Sequence, residues 1–479
     1  MAKQLFKTSE KSNFILNLTE EKYSQLASKA LAGLFVLMPL FAIPSQCTDK
    51  VGFSVETIGL IFGGVVCMIF ALIAMMKKYI TKKMLIPVIA FAGMLGFGAV
   101  SLFDCYNRQV GFYGTDGRGE GLLAIIFYFC FFITGLSLKT EKSVITLIYG
   151  VIASGAVNAL WALVQLFFGK IGDFTYVSVK IKAHAVSGLA QNPIFFSMLL
   201  TLSLTAALIG FIMTGSKRTR IILAVCAALF SFTMPFTHTI MGFAGIAVAA
   251  VSTIIAAFIS KSPKIRLAGL LTAVIPPIIS IIIVSAGLIG NISEYKLYDG
   301  RIMWWDSYNR LSASGIFDPR VTEIDIEDPL SFYPYMTEET LDIIKTYPLT
   351  GAGPDQLVYP QIHVSEIIQE NPNTFDKNYN EYLYTAATRG IPSLLLLITV
   401  IASLIANSAA IVNHNRKSLA AVCTFMLLSA GALIFFIGNS NTIFSPIYWA
   451  LSGASCASLA EASKKVLSKK HQKAYGKSK

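Results

Sequence analysis

The residues best equipped for chemistry stand in separate stretches of the chain. From Gly300 to Tyr308, the order Arg301, Trp304 or Trp305, and Tyr308 repeats at i, i+3/4, i+7, which puts these side chains on one face of a helix. An arginine among aromatics suits a membrane surface. There it can hold a diphosphate through paired, charge-assisted hydrogen bonds, or bind lipid headgroups. A second stretch, Lys180 to Pro193, carries Lys180, Lys182 and His184, cations that would attract the phosphates of a lipid-linked molecule. Arg118 and Glu120 enter an apolar run through Gly117, Gly119 and Gly121. They read either as a paired set at the rim of a cavity or as solvated charges on a glycine-rich turn. His238 suits a structural hydrogen bond as well as a functional role. A last stretch, Asp376 to Leu383, opens a helix that runs on through Arg389, Gly390 and Pro392.

The elements that must position these residues are apolar. Of 479 residues, 54% are hydrophobic and only 14% charged, against about 25% charged in a water-soluble domain. The expected fold is therefore an all-α polytopic membrane protein. Twelve stretches are long enough for a hydrocarbon layer: Leu31 to Gln46, Ile58 to Met76, Met84 to Phe103, Gly121 to Leu138, Ser143 to Phe168, Leu189 to Thr214, Ile221 to Phe236, Thr239 to Ser260, Leu267 to Gly290, Gly390 to Val412, Ser418 to Gly438 and Ile443 to Ala462. The seventh and eighth, split by little more than Thr237 and His238, read as two helices or as one broken helix. Pro276 and Pro277 should kink the ninth. This divides the chain into an N-terminal membrane domain of nine spans (1–290), a large loop with short helices (291–389), three C-terminal spans (390–462) and a basic tail (463–479).

Alternate loops then hold 26 of the 39 basic residues on the side of both termini, which predicts N- and C-termini in the cytoplasm and the large loop outside. The net charge of +12 thus reads as membrane orientation and not as a nucleic-acid footprint; the large loop itself carries a net −9. No ionisable residue lies near the middle of a proposed span, which argues against an ion-coupled carrier. Scattered cysteines without a CxxC pair, and an acidic cluster at Thr322 to Asp328 without EF-hand spacing, support no metal site. The glycines of Pro348 to Pro354 suit backbone geometry more than phosphate binding, because no GK[ST] follows them.

Taken in order, these pieces resemble the O-antigen ligase and O-antigen polymerase family of bacterial surface polysaccharide assembly. Arg118 to Leu123 is similar to its Arg-x-Glu-Gly-Leu-Leu element, Ser187 to Pro193 to Gly-x-x-x-Asn-Pro, and Gly300 to Trp305 to its arginine-tryptophan helix. Tyr347 to Pro354 is similar to Pro-Leu-x-Gly-x-Gly-Pro, and Tyr379 to Leu383, followed by Gly390-Ile391-Pro392, to a His-Asn-Glu-Tyr-Leu element with Gly-Ile-Pro. Tyr379 stands where the family has histidine. Ala185, with Lys182 and His184 nearby, stands where it usually has arginine, and Thr237-His238 replaces a Ser-Arg pair.

The resemblance implies a metal-independent, cofactor-free, inverting transfer of glycan from a polyprenyl diphosphate to an acceptor glycan hydroxyl, at the outer face of the cytoplasmic membrane. The Asn380-Glu381-Tyr382-Leu383 wording fits the polymerase branch better than the ligase branch. By the same resemblance Arg301 neutralises the leaving diphosphate, while Tyr379, Glu381, Asp376 and His363 are the candidates for handling the acceptor proton; an unperturbed tyrosine, near pKa 10, is a poor base at neutral pH. Arg118, Glu120, Lys182, His184, Asn192, His238, Trp305 and Asn380 are the candidate substrate-binding residues. Two alternatives stay open: a lipid-glycan binding component without transferase chemistry, and a flippase for lipid-linked sugars.

Overall fold

The computed structural model describes residues 18–41, 55–80, 84–115, 118–168, 186–190, 192–237, 239–286, 329–364, 375 and 377–456. Among them every regular element is helical: α1 (Glu20–Leu40), α2 (Val55–Met76), α3 (Leu85–Ser101), α4 (Arg108–Tyr113), α5 (Leu122–Leu136), α6 (Glu141–Phe168), α7 (Pro193–Met213), α8 (Lys217–Thr233), α9 (Ile240–Ile259), α10 (Pro263–Ala273) and α11 (Ile275–Ser285). Beyond the second large undescribed stretch come α12 (Pro329–Thr346), α13 (Val358–Val364), α14 (Glu381–His414), α15 (Leu419–Ile434) and α16 (Phe444–Ala454). Seven described segments are long and apolar enough to cross a bilayer: Thr57–Met76, Glu141–Phe167, Pro193–Met213, Lys217–Thr237, Ile240–Ile259, Pro263–Ser285 and Glu381–His414. Leu85–Ser101, Leu122–Leu136 and Leu419–Ile434 are equally apolar but shorter. The chain is an all-α membrane protein.

Helix α7 is the axis of the bundle. Every residue from Pro193 to Gly210 is buried, and the helix packs against α6, α8, α9 and α15. Three of its hydroxyls bond back into the helix, Ser197 to the Pro193 carbonyl, Thr201 to Ser197 and Ser203 to Leu199, which satisfies them without water. The periphery is the reverse. Ile86, Ile89, Val225, Leu267, Leu271, Ile281 and Ile282 are exposed, an apolar girdle that lipid tolerates and water does not. Helices α5 and α16 cross at near backbone contact; a Cβ on Gly135 would sit 2.0 Å from the Ala450 carbonyl oxygen, the close approach that small residues allow between membrane helices.

Local sequence explains where the helices begin and end. Helix α1 starts at Glu20, well before the apolar run at Leu31, because Thr19 caps the Lys22 N–H and Glu20 and Glu21 occupy the positive first turn. Helices α8 and α9 are separate, joined by a 3₁₀ turn over Pro235–Thr237 and restarted by Thr239, whose hydroxyl accepts from Gly242 N. The expected kink is a break: α10 ends at Ala273, and Pro276 and Pro277 fall in the opening turn of α11, where a missing N–H costs nothing.

The two ends of the bundle differ chemically. At one, the start of α1 meets the basic connections: Tyr79 donates to the Leu18 carbonyl, the Lys139 amide to Ser24, and Lys139 approaches Glu20 at 3.8 Å. Ser418, beside Arg416 and Lys417, donates to Glu141. At the other end, residues 107–115, 118–121, 348–357, 377–391 and 435–441 converge.

Candidate functional site

Three backbone devices build this second end. The first is a break in α14 at Gly390 (φ 83°). It strands the Ala387 and Thr388 carbonyls and the Ile391 amide, and the Pro348–Pro354 turn supplies their partners: Ala352 N donates to Ala387 O at 2.9 Å, Gly353 N to Thr388 O at 3.0 Å, and Ile391 N to Pro348 O at 2.8 Å. The approach needs glycine on both sides. A Cβ on Gly351 (φ 67°) would sit 2.3 Å from the Arg389 nitrogen, and one on Gly390 2.1 Å from the Leu349 oxygen. The reading of these glycines as backbone geometry fits what they do here.

The second device ties the α4 loop to the segment after that turn. Asn107 N donates to Gln356 Oε1 at 3.0 Å and Gln356 returns a bond to the Asn107 carbonyl at 2.6 Å. Thr115 N donates to Asp355 Oδ2 at 2.7 Å and its hydroxyl to the Asp355 carbonyl at 3.2 Å. The third is the start of α14, where Asn380 accepts from the Tyr382 and Leu383 amides at 3.1 Å each and the Glu381 amide donates to Phe435 O at 2.8 Å.

These devices gather a buried ionic cluster. Lys377, with no solvent exposure, lies 2.6 Å from Glu120 Oε2 and 3.3 Å from Asp355 Oδ1. It donates to the Tyr384 hydroxyl at 2.9 Å, with its ammonium 4.0 Å from that ring's centroid. Tyr384 in turn donates to Asp355 Oδ1 at 2.8 Å, and Tyr128 to Glu120 Oε1 at 3.2 Å. Alongside, Arg389 donates to Glu381 Oε1 at 3.1 Å and to the Thr385 hydroxyl at 2.7 Å; Thr385 bonds the same carboxylate oxygen at 3.2 Å, and Ser440 N bonds Glu381 Oε2 at 2.8 Å. Arg118, also buried, lies with its guanidinium 5.1 Å from the centre of the Phe195 ring in the first turn of α7. The cluster holds cations Arg118, Lys377 and Arg389 against carboxylates Glu120, Asp355 and Glu381, all buried, so the charges compensate within it.

Burial pushes the Glu120 carboxyl up to about 7, with Lys377 opposing that shift and Asp355 and Glu381 reinforcing it. Burial pulls the Lys377 ammonium down, but the Glu120 and Asp355 carboxylates more than offset it, and its proton is held more tightly than in water. Glu120 is therefore a carboxyl that changes charge near neutral pH.

The structure brings together five residues singled out by sequence: Arg118, Glu120, Tyr379, Asn380 and Glu381. Glu120 is paired with Lys377, 257 residues on in the chain, and Arg118 is seated on Phe195. Asn192 is buried at the head of α7, its Oδ1 accepting from the Ile194 and Phe195 amides at 2.8 and 3.3 Å; it caps the helix that carries the Arg118 stacking partner. Tyr379 is buried in a left-handed backbone (φ 50°), and Asn380 caps α14. His363 falls within helix Val358–Val364, and its side chain lies outside the described residues, as do Arg301, Trp305, Lys182, His184, His238 and Asp376. The polar residues Gln165 and Asn158 join α6 to the segment before α7: Gln165 accepts from the Ser187 and Gly188 amides at 3.1 and 2.9 Å, and Asn158 from Leu189 N at 3.1 Å.

Sequence reasoning missed Lys377, Asp355, Tyr384, Tyr128 and Arg389. Two signals were present: a lysine flanking the Asn378 to Leu383 element, and an aspartate directly after the Gly-Ala-Gly-Pro turn. No protein-family model matches the chain, and no curated protein sequence does.

Proposed function

We propose that this chain is a membrane glycosyltransferase of surface polysaccharide assembly, which lengthens a glycan by transferring it from a polyprenyl diphosphate to an acceptor hydroxyl outside the cytoplasmic membrane. The observation that carries the reading is convergence. Three of the elements that suggest the family, Arg118–Leu123, Tyr347–Pro354 and Tyr379–Leu383 with Gly390, are far apart in sequence, yet contacts join them around one buried charged cluster at the end of the bundle away from the basic connections, and Asn192 of a fourth caps the helix whose Phe195 seats Arg118. A scaffold with no shared site would have no need to bring them together.

In this reading α1, α3, α5, α15 and α16 cross the bilayer with the seven longer segments, making twelve spans with both termini in the cytoplasm. The acceptor hydroxyl attacks the anomeric carbon, the bond from that carbon to the diphosphate oxygen breaks with inversion, and Arg301 neutralises the departing charge. Tyr379 orients the acceptor. Glu381 takes the hydroxyl proton: Arg389, Thr385 and Ser440 N fix its carboxylate, and Oε2, which accepts from Ser440 N, has a second lone pair for the acceptor hydroxyl.

The test is purified protein in EDTA with a polyprenyl-diphosphate oligosaccharide, beside Arg301→Ala. Products longer than the input, absent with Arg301→Ala, support polymerisation without metal. Lipid-linked glycan that crosses a vesicle bilayer unchanged in length identifies a flippase instead.

A further inference from the structure

We infer that Lys377 is the positioning residue of this site: by joining Glu120, Asp355 and Tyr384 it holds the backbone at Tyr379 and the first turn of α14 in the one arrangement the site uses. Its consequence for turnover rests on the glycosyltransferase reading; its consequence for the backbone does not.

Burying a lysine completely costs several kcal/mol unless charge partners and hydrogen bonds compensate. Here the partners come from three separate segments, the approach to α5 (Glu120), the stretch after the Pro348–Pro354 turn (Asp355) and α14 itself (Tyr384). One ammonium therefore fastens the outer connections to each other. Among the described residues four non-glycines have positive φ: Lys78, Lys261, Asp355 and Tyr379. Lys78 and Lys261 follow the last turns of α2 and α9, a common place for that conformation. Asp355 and Tyr379 follow no such turn. One is a direct partner of Lys377 and the other is two residues from it.

A bulky residue in this region costs roughly 1–2 kcal/mol and persists only when its surroundings fix it on both sides. On the C-terminal side of Tyr379, the Asn380 cap and the Glu381 amide supply the hold. On the N-terminal side Asn378 Oδ1 accepts from Asn380 N at 3.2 Å across Tyr379, Asn378 reaches the Thr340 hydroxyl at 3.3 Å, and Gln361 holds the Phe375 backbone through bonds of 2.8 and 3.0 Å; between these neutral ties Lys377 is the charged anchor, bound to three segments at once. Neutralising Lys377 and Glu120 together removes one buried charge of each sign, and Asp355, which loses its ion pair, keeps the Thr115 amide and the Tyr384 hydroxyl, so the anchor is released with the net charge of the cluster unchanged.

The experiment uses full-length protein in detergent and compares Lys377→Met/Glu120→Gln and Lys377→Arg with the wild type. Amide hydrogen exchange and turnover are both measured. In the double variant, exchange across 377–385 should rise by about tenfold or more while α7 stays protected. The turnover number should fall by about a hundredfold with KM little changed, as misplacement of a reacting group does. Lys377→Arg, which keeps the charge, should recover part of both. Unchanged exchange in 377–385, or an equal rise along the whole chain, overturns the inference. Local loosening in a protein whose wild type shows no transfer upholds Lys377 as the anchor and overturns the glycosyltransferase reading.

Discussion

Replacing Glu120 by glutamine should remove most of the pH dependence of folding stability between pH 4.5 and 7. The carboxyl is raised from its ordinary 4.5 to about 7, first by burial, with the nearby Lys377 opposing. The folded state thus prefers the protonated form. That preference stabilises fully below pH 4.5 and is lost as pH rises through 7; the difference corresponds to on the order of 3 kcal/mol. Glutamine keeps the shape and one acceptor oxygen but does not titrate. Detergent-solubilised protein unfolded by a denaturant titration at several pH values provides the assay, with intrinsic tryptophan fluorescence as the signal. From pH 4.5 to 7.5 the wild type should lose on the order of 3 kcal/mol more stability than Glu120→Gln. Every other titrating group is common to both proteins, so the effect is read as the difference between the two curves. Equal slopes in the two proteins, or a steeper loss in the variant, would refute the reasoning that Glu120 is buried and charge-strained.

Other consequences follow from the same contacts. Gly351→Ala and Gly390→Ala each force a Cβ into backbone at a positive φ and should lower the folded yield in detergent far more than Gly96→Ala, where nothing lies within 4 Å. Arg389→Met leaves Glu381 buried without its cation and should destabilise by about 3–5 kcal/mol; adding Glu381→Gln should recover part of it, and strict additivity of the two changes would refute the pairing. Asn192→Ala removes the α7 cap and should cost about 1 kcal/mol, read as a small shift in the same denaturant titration.

How much of this was legible in the sequence varied with the range of the interaction. Apolar runs, Asn-Pro at the head of α7, the glycines facing Gly390 and the Asn380 cap are local, and each could be read from neighbours in the chain. The apolar run from Leu31 marks a stretch fit to cross lipid, whereas the helix itself begins at Glu20, set by the Thr19 cap with Glu20 and Glu21, which is also legible in the sequence. The partner of Glu120 was out of reach. Adjacency favoured Arg118, two residues away, whereas folding brings Lys377 from across the chain and seats Arg118 on Phe195. Asp355 and Tyr384 were invisible for the same reason: their chemistry comes from a non-local meeting.

The measurement that tests the central claim most directly is the release of polyprenyl diphosphate by the purified protein, counted against glycosidic bonds formed. Glycosyl transfer requires one polyprenyl diphosphate released for each bond, in EDTA, with both counts lost together in Arg301→Ala. Lipid-linked glycan that is bound or moved across a bilayer with its diphosphate linkage intact would contradict the account.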